Sequence, residues 1–311
     1  MRIGVIGSGA VGLYFGARLQ LAGHDVHFLL RRDYEAITAS GLTITSPAGD
    51  FRLERVKGFR TPGEMGKVDL VLVALKAFAN MHLVEMVRPL LQDDTAVLTV
   101  QNGLGNEELL AEAFGVERVL GGVAIVGANR GEPGVVHHLT YGAIRLGELG
   151  GGLSPRAERL AAMVDAAGIR CEAVADLRKI RWEKLVWNIP FNGLCALTGQ
   201  TPGRLLAHPS TRRLIAAIMA EVIAGGNAQG LSEPIPTHGY IEEVLARTER
   251  NSGDYRPSMM IDRLEGRPLE LEAIYQIPLQ HAAKRGVEMA RVEMLQALLD
   301  LGEPGKDDGA A

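Results

Sequence analysis

The stretch MRIGVIGSGAVGLYFGARLQ (1–20) decides the fold. Residues 2–6 read as a short buried strand. Gly7-Ser8-Gly9-Ala10-Val11-Gly12 follows at once and fits G-x-G-x-x-G. Val11, Leu13, Tyr14, Ala17, Leu19 and Leu21 then carry an apolar pattern compatible with a helix. Gly7 allows the tight turn out of the strand, Gly9 lets a pyrophosphate reach the backbone, and Gly12 lets the helix pack close to the strand. The helix N-terminus offers N–H groups and partial positive charge to phosphate. A strand before the glycines and a helix after them are the context the motif requires. Residues 7–12 are therefore the candidate cofactor loop, and its ligand class is a dinucleotide. The competing reading is a glycine-rich turn that holds no ligand.

Moving outward, residues 25–30 (DVHFLL) form a second strand that should end beside an adenosine ribose. NAD sites usually place an acid there. This strand instead runs into Arg31-Arg32, and a guanidinium can grip a 2′-phosphate in bidentate fashion, so NADP(H) is expected. Asp33 is read as the cap of a helix starting near Tyr34. Residues 41–53 look like a hairpin around Pro47 and Gly49. Residues 68–75 are a near-continuous apolar run, as in a doubly buried parallel strand, and end in Lys76. A helix is expected over 80–91, a strand over 95–100 ending in Gln101-Asn102-Gly103, and a helix over 106–114. Strands and helices in alternation predict a doubly wound parallel sheet, with ligands outside the strands' carboxyl ends. The glycine loop, Arg31, Lys76 and Asn102 all fall there.

Further strands are expected over 118–127, 134–140 and 143–146, then a helix over 154–168 and a last strand over 169–174. From Asp176 onward the pattern is helical only, near 176–197, 210–230, 240–248, 269–285 and 291–301. The fold class is thus α/β: an N-terminal Rossmann-type domain (1–175) and an all-helical C-terminal domain (176–311). The helical domain would supply the other wall of a cleft and contacts to substrate. The polar end 303–311 reads as frayed.

Composition narrows the function classes. The 311 residues suffice for two domains, and the 47% hydrophobic and 23% charged fractions are those of a globular protein. A net charge of −4 gives no general attraction to nucleic acid or anionic membrane. No apolar run approaches the roughly 20 residues a bilayer span needs. With a strand read at residue 2 no leader is expected, and Cys171 and Cys195 suggest neither a disulfide framework nor a metal site. A cytoplasmic protein without metal is expected.

The chemistry is expected on the helix containing RWEKLVWNIPFNGLCALTG (181–199). Lys184, Asn188 and Asn192 lie at i, i+4 and i+8, on one face. Leu185, Val186, Trp187 and Ile189 surround them with apolar side chains. Burying such a stripe unpaired is costly, so it should meet water or a ligand. Pro190 should kink the helix. A solvated surface stripe is the competing reading.

The chain resembles the ketopantoate reductase (2-dehydropantoate 2-reductase) family over nearly its whole length. The matching features are GSGAVG at the start, Arg31, Val73-Ala74-Leu75-Lys76, Gln101-Asn102-Gly103, and Lys184-x3-Asn188-x3-Asn192. Pro257-Ser258-Met259 and Gly266-Arg267-Pro268-Leu269-Glu270 complete the set. The resemblance implies an NADPH-dependent reductase of a small 2-oxo acid, making pantoate on the route to pantothenate and coenzyme A. It implies Lys184 as general acid, and Asn188, Asn192 and Ser258 as substrate contacts. Glu270 would orient lysine and substrate, and Lys76 and Asn102 would line the nicotinamide side. Glu270 should also favour the protonated lysine. A homodimer is compatible with this pattern. The chain departs from the family in Leu269-Glu270-Leu271-Glu272 and Ile274-Tyr275-Gln276, where Thr-Glu-Ile-Asp and an Asn-Gly are common. These departures leave a different branched 2-oxo acid as a rival substrate. A non-catalytic dinucleotide sensor is the rival outside enzymes, and the intact Lys184, Asn188, Asn192, Ser258 and Glu270 speak against it.

Overall fold

The computed structural model describes residues 1–251 and 254–303. The chain divides into two compact units. One holds Met1–Gln101 and Asn106–Leu177. The other holds Asn102–Gly105 and the chain from Arg178 on.

The first unit is built on one sheet. Its strands are β1 (Arg2–Ile6), β2 (Asp25–Leu29), β3 (Leu42–Thr45), β4 (Phe51–Leu53), β5 (Lys57–Phe59), β6 (Leu70–Val73), β7 (Ala96–Thr99), β8 (Val119–Arg130), β9 (Val135–Glu148) and β10 (Arg170–Ala173). The order is β4-β3-β9-β8-β7-β6-β1-β2-β5, with β10 also on β9. From β8 to β5 every pairing is parallel, and β8–β9 and β3–β4 are antiparallel. β1 lies between β2 and β6, so the chain reverses its direction of travel across the sheet at the carboxyl end of β1. That is where a doubly wound sheet opens a crevice. The helices are α1 (Ala10–Leu21), α2 (Tyr34–Ser40), α3 (Leu83–Val87), α4 (Asn106–Phe114) and α5 (Pro155–Ala166). Apolar residues of β1, β6 and β7 alternate between two buried clusters, as expected of strands covered on both faces.

Three sequence expectations change here. The helix over 80–91 is instead a 3₁₀ turn (Ala77–His82), the short α3 and a second 3₁₀ turn (Arg88–Leu90). Asn80 and His82 are poor helix formers, and Pro89 has no N–H to return. The separate strands at 134–140 and 143–146 are one strand, β9. Tyr141 and Gly142 look like a turn, but with φ of 61° and 112° they form an irregularity inside the β8–β9 pairing. Asp33 holds the cap position of α2, yet its side chain makes no capping bond. It pairs instead with Arg130, at the end of β8. A guanidinium is a stronger partner for a buried carboxylate than an N–H at a helix end.

The second unit is helical: α6 (Leu177–Thr198), α7 (Pro202–Ala207), α8 (Pro209–Asn227), α9 (Tyr240–Asn251), α10 (Ser258–Leu264), α11 (Ile277–Ala283) and α12 (Ala290–Leu301). Trp182 of α6 is fully buried against Gly225 and Gly226 of α8, where a side chain would come within 3.1–3.3 Å of the indole residue. α7 and α10 are too short to leave a periodic signal in sequence. The expected helix over 269–285 opens with a π turn (Glu272–Gln276) before α11. Pro278 cannot return an N–H to Ile274. Glu303, expected to fray, is held: its carboxylate accepts the Leu269 N–H at 3.0 Å and lies 3.6 Å from Arg263. The rest of that tail, 304–311, lies outside the described residues. Among the described residues no helix is long and apolar enough to cross a membrane.

Candidate active site

The helical unit brings three of the expected residues together. Lys184, on α6, donates from Nζ to Asn102 Oδ1 at 2.7 Å. The same amide donates from Nδ2 toward Glu270 Oε2 at 3.4 Å. Asn102 therefore reads the lysine with its oxygen and the carboxylate with its nitrogen. Its carbonyl can only accept and its NH₂ can only donate, so a cation on one side and an anion on the other fix its orientation. Glu270 is 2% exposed, and a carboxylate so deep in the protein requires such partners.

The backbone that presents Asn102 is held by the π turn. Leu104 N–H donates to the Ala273 carbonyl at 2.9 Å. Gly103 has φ of +81°, and a Cβ there would lie 2.3 Å from the same carbonyl. Only glycine permits both the conformation and the approach. Sequence reasoning read Gln101-Asn102-Gly103 as a strand end. It did not reach Ala273, whose carbonyl docks that loop onto the segment carrying Glu270. π turns are frequent at functional sites.

Burial and the neighbouring Arg181 guanidinium push the Lys184 ammonium down from 10.5 to about 7, and Glu270 pulls it partly back. The expectation that Glu270 keeps the lysine charged holds only in direction, because loss of hydration outweighs the carboxylate. A lysine at about 7 can hold or release a proton near neutrality.

Asn188 and Asn192 continue the stripe, 5% and 3% exposed. Among the described residues neither side chain has a hydrogen-bond partner, which leaves two neutral amides able to receive a ligand. α6 runs on through Pro190, and the Tyr275 hydroxyl donates to the Ile189 carbonyl at 2.8 Å. Tyr275, one of the departures from the family pattern, is fully buried and braces α6. Ser258 opens α10. Buried Asp262 of that helix binds Arg267 Nε at 2.9 Å, which ties α10 to the segment entering Glu270.

In the sheet unit, the 7–12 loop follows β1 as expected. Gly7 has φ of +101°, and a Cβ would lie 2.4 Å from Leu75 N. A Cβ on Gly12 would meet the Gly7 carbonyl at 2.2 Å. Gly9 differs: a Cβ there meets nothing within 4 Å, so the space over it is open. Gly9 is also the cap of α1, with no side chain to bond the first N–H groups, and the first turn carries no acid. Open space above uncapped N–H donors suits phosphate oxygens. Ser8 Oγ donates to the Leu29 carbonyl at 2.7 Å, tying the loop to the end of β2. Arg31 follows that end, exposed, with neither hydrogen bond nor ion pair for its guanidinium among the described residues. Lys76 is half-buried just beyond β6, and its carbonyl accepts from Ala79 at 3.0 Å.

A polar chain that sequence reasoning missed braces this edge. Thr99 Oγ1 donates to Gln101 Oε1 at 2.9 Å, Gln101 Nε2 to Asn80 Oδ1 at 2.8 Å, and Asn80 Nδ2 to Asn106 Oδ1 at 2.9 Å.

Comparisons with known proteins cover both units. Residues 3–151 match the family model described as Ketopantoate reductase PanE/ApbA, and residues 176–303 match its C-terminal counterpart. A 2-dehydropantoate 2-reductase of Nostoc sp. is 40% identical over 296 residues, 94% of this chain and 92% of that protein. One from Mesorhizobium japonicum is 32% identical, covering 88% and 89%. The crystal structure of 2-dehydropantoate 2-reductase from Geobacter metallireducens superposes with a TM-score of 0.95 at 56% identity, covering 97% of this chain and 99% of that one.

Proposed function

Because this chain belongs to the ketopantoate reductase family and is an oxidoreductase of it, we propose that it reduces 2-dehydropantoate to pantoate with NADPH. The observation that carries the reading is the Lys184–Asn102–Glu270 array, a lysine of lowered pKa held in place by an amide and a buried carboxylate. A dinucleotide bound at the glycine loop supplies the hydride.

Lys184 is the proton donor. Addition of hydride to the C2 carbonyl carbon leaves the electron pair of the C=O π bond on oxygen as an alkoxide. The Lys184 ammonium stabilises that charge and transfers one proton to it, giving the alcohol and a neutral amine that solvent reprotonates. Asn102 Oδ1 accepts a hydrogen bond from another Nζ–H and fixes the ammonium's direction. Asn188 and Asn192 have amide donors for the substrate's carboxylate or hydroxyl, and they add no charge that would compete with Lys184. Ser258 is assigned to the same pocket by its match to the family motif. Arg31 and the N-terminus of α1 bind the phosphates, the former the 2′-phosphate.

The test is initial-rate oxidation of NADPH with 2-dehydropantoate, beside other branched 2-oxo acids and an NADH control. The expected result is turnover with 2-dehydropantoate in clear excess over the panel, and with NADPH in excess over NADH. Turnover with another 2-oxo acid alone would overturn the substrate assignment. Tight NADPH binding with no turnover on any of them would overturn the catalytic one.

A further inference from the structure

The two acids that follow Arg31 in the chain are both ion-paired with arginines far along the sequence. Asp33, two residues on, is 3% exposed, and its carboxylate is ion-paired with Arg130 at the end of β8. Its Oδ1 has no hydrogen bond among the described residues and lies 3.9 Å from Arg32 Nε. Glu35 is ion-paired with Arg60, which follows β5 and stands over the Tyr34 ring at 4.1 Å. Residues 31–34 make a tight turn, closed by the Tyr34 N–H on the Arg31 carbonyl at 3.3 Å. Asp33 is therefore kept close to Arg31 by the chain itself, at the strand end where a ribose is expected.

An unpaired carboxylate at that place has two effects. It repels a 2′-phosphate, and it can accept from the ribose hydroxyls that NADH presents instead. We infer that Arg130 is a specificity-determining residue: by neutralising Asp33 it removes an acid that would otherwise select against a 2′-phosphate, leaving Arg31 to select for one. The inference rests on the NADPH assignment proposed above. It explains why Asp33 occupies the α2 cap position without capping, since its carboxylate is turned to Arg130. It also adds to the cofactor site a residue 97 positions from Asp33, outside any sequence motif.

The test compares NADPH and NADH dissociation constants by titration, with NADH reporting any general damage. The expected wild type prefers NADPH. Arg130→Met is expected to weaken NADPH about tenfold while NADH changes by less than about twofold. Adding Asp33→Asn to Arg130→Met should return NADPH to within about twofold of wild type, since the repelling charge is gone. Arg130→Lys should keep the preference. Equal losses for both cofactors in Arg130→Met, or a loss that persists in the double variant, would overturn the inference. If Arg130→Met does not fold, Asp33→Asn alone decides. It leaves Arg130 unneutralised and should raise the NADPH preference about threefold, and an unchanged or lower preference would contradict the inference. A wild type without NADPH preference would instead remove the assignment on which the inference stands.

Discussion

Lys184 has its partners within the protein: Asn102 lies 2.7 Å away and Glu270 beyond it is buried. The start of α1 is the opposite case, with no capping side chain, no acid in its first turn and open space over Gly9. The difference matches what the proposed function asks of each site. A proton donor needs a tuned pKa and a fixed direction before substrate arrives, so its neighbours are built in. A phosphate-binding turn needs donors left unsatisfied, so its neighbours are left out. The two glycines Gly103 and Gly9 show the same division. A Cβ on the first strikes the Ala273 carbonyl, and a Cβ on the second meets nothing within 4 Å.

Substitutions can break this contrast. Lys184→Ala should lower kcat by about 10²–10⁴, as loss of a general acid does, with NADPH affinity unchanged. It should also lower Tm, since buried Glu270 and Asn102 lose the cation they are oriented on. Arg31→Ala should weaken NADPH by about 10–100-fold and NADH little, as read by titration, because a charge-assisted bond to the 2′-phosphate is lost. Gly103→Ala should destabilise the fold by about 1–3 kcal/mol in denaturant melts, through positive φ and the close carbonyl, and should lower kcat with it. Gly9→Ala should leave the melt unchanged and cost about 1–3 kcal/mol of cofactor affinity. If Gly9→Ala destabilised the apoprotein, or Gly103→Ala changed cofactor binding alone, the division between the two sites would fail.

The two sites were not equally legible. The glycine loop is local: strand, turn and helix lie within 21 residues, and the close packing at Gly7 and Gly12 follows from their place in the motif. Lys184, Asn188 and Asn192 were legible as a face because helical periodicity is also local. Nothing local joins Asn102 to Glu270, 168 residues away. The family resemblance supplied Glu270, but not the Asn102 bridge or the π turn that makes room for it. Asp33 shows the limit from the other side. Its position before α2 was read correctly, and its partner Arg130 was invisible because a tertiary ion pair displaced the local cap. The depressed lysine was missed for the same reason. The family resemblance names Glu270 as a helper, whereas burial, which sequence does not report, sets the net shift.

In the proposed reaction Lys184 gives up a proton held by surroundings that Glu270 only partly offsets. The pH dependence of kcat/KM for 2-dehydropantoate reduction tests it most directly, since that profile reports the free enzyme. The protonated lysine is the active form, so kcat/KM should fall as pH rises through about 7. Glu270 favours the charged lysine, so Glu270→Gln should move that fall to lower pH. A wild-type profile that stays level to the ordinary lysine range, or a fall that Glu270→Gln leaves in place or moves upward, would contradict the account.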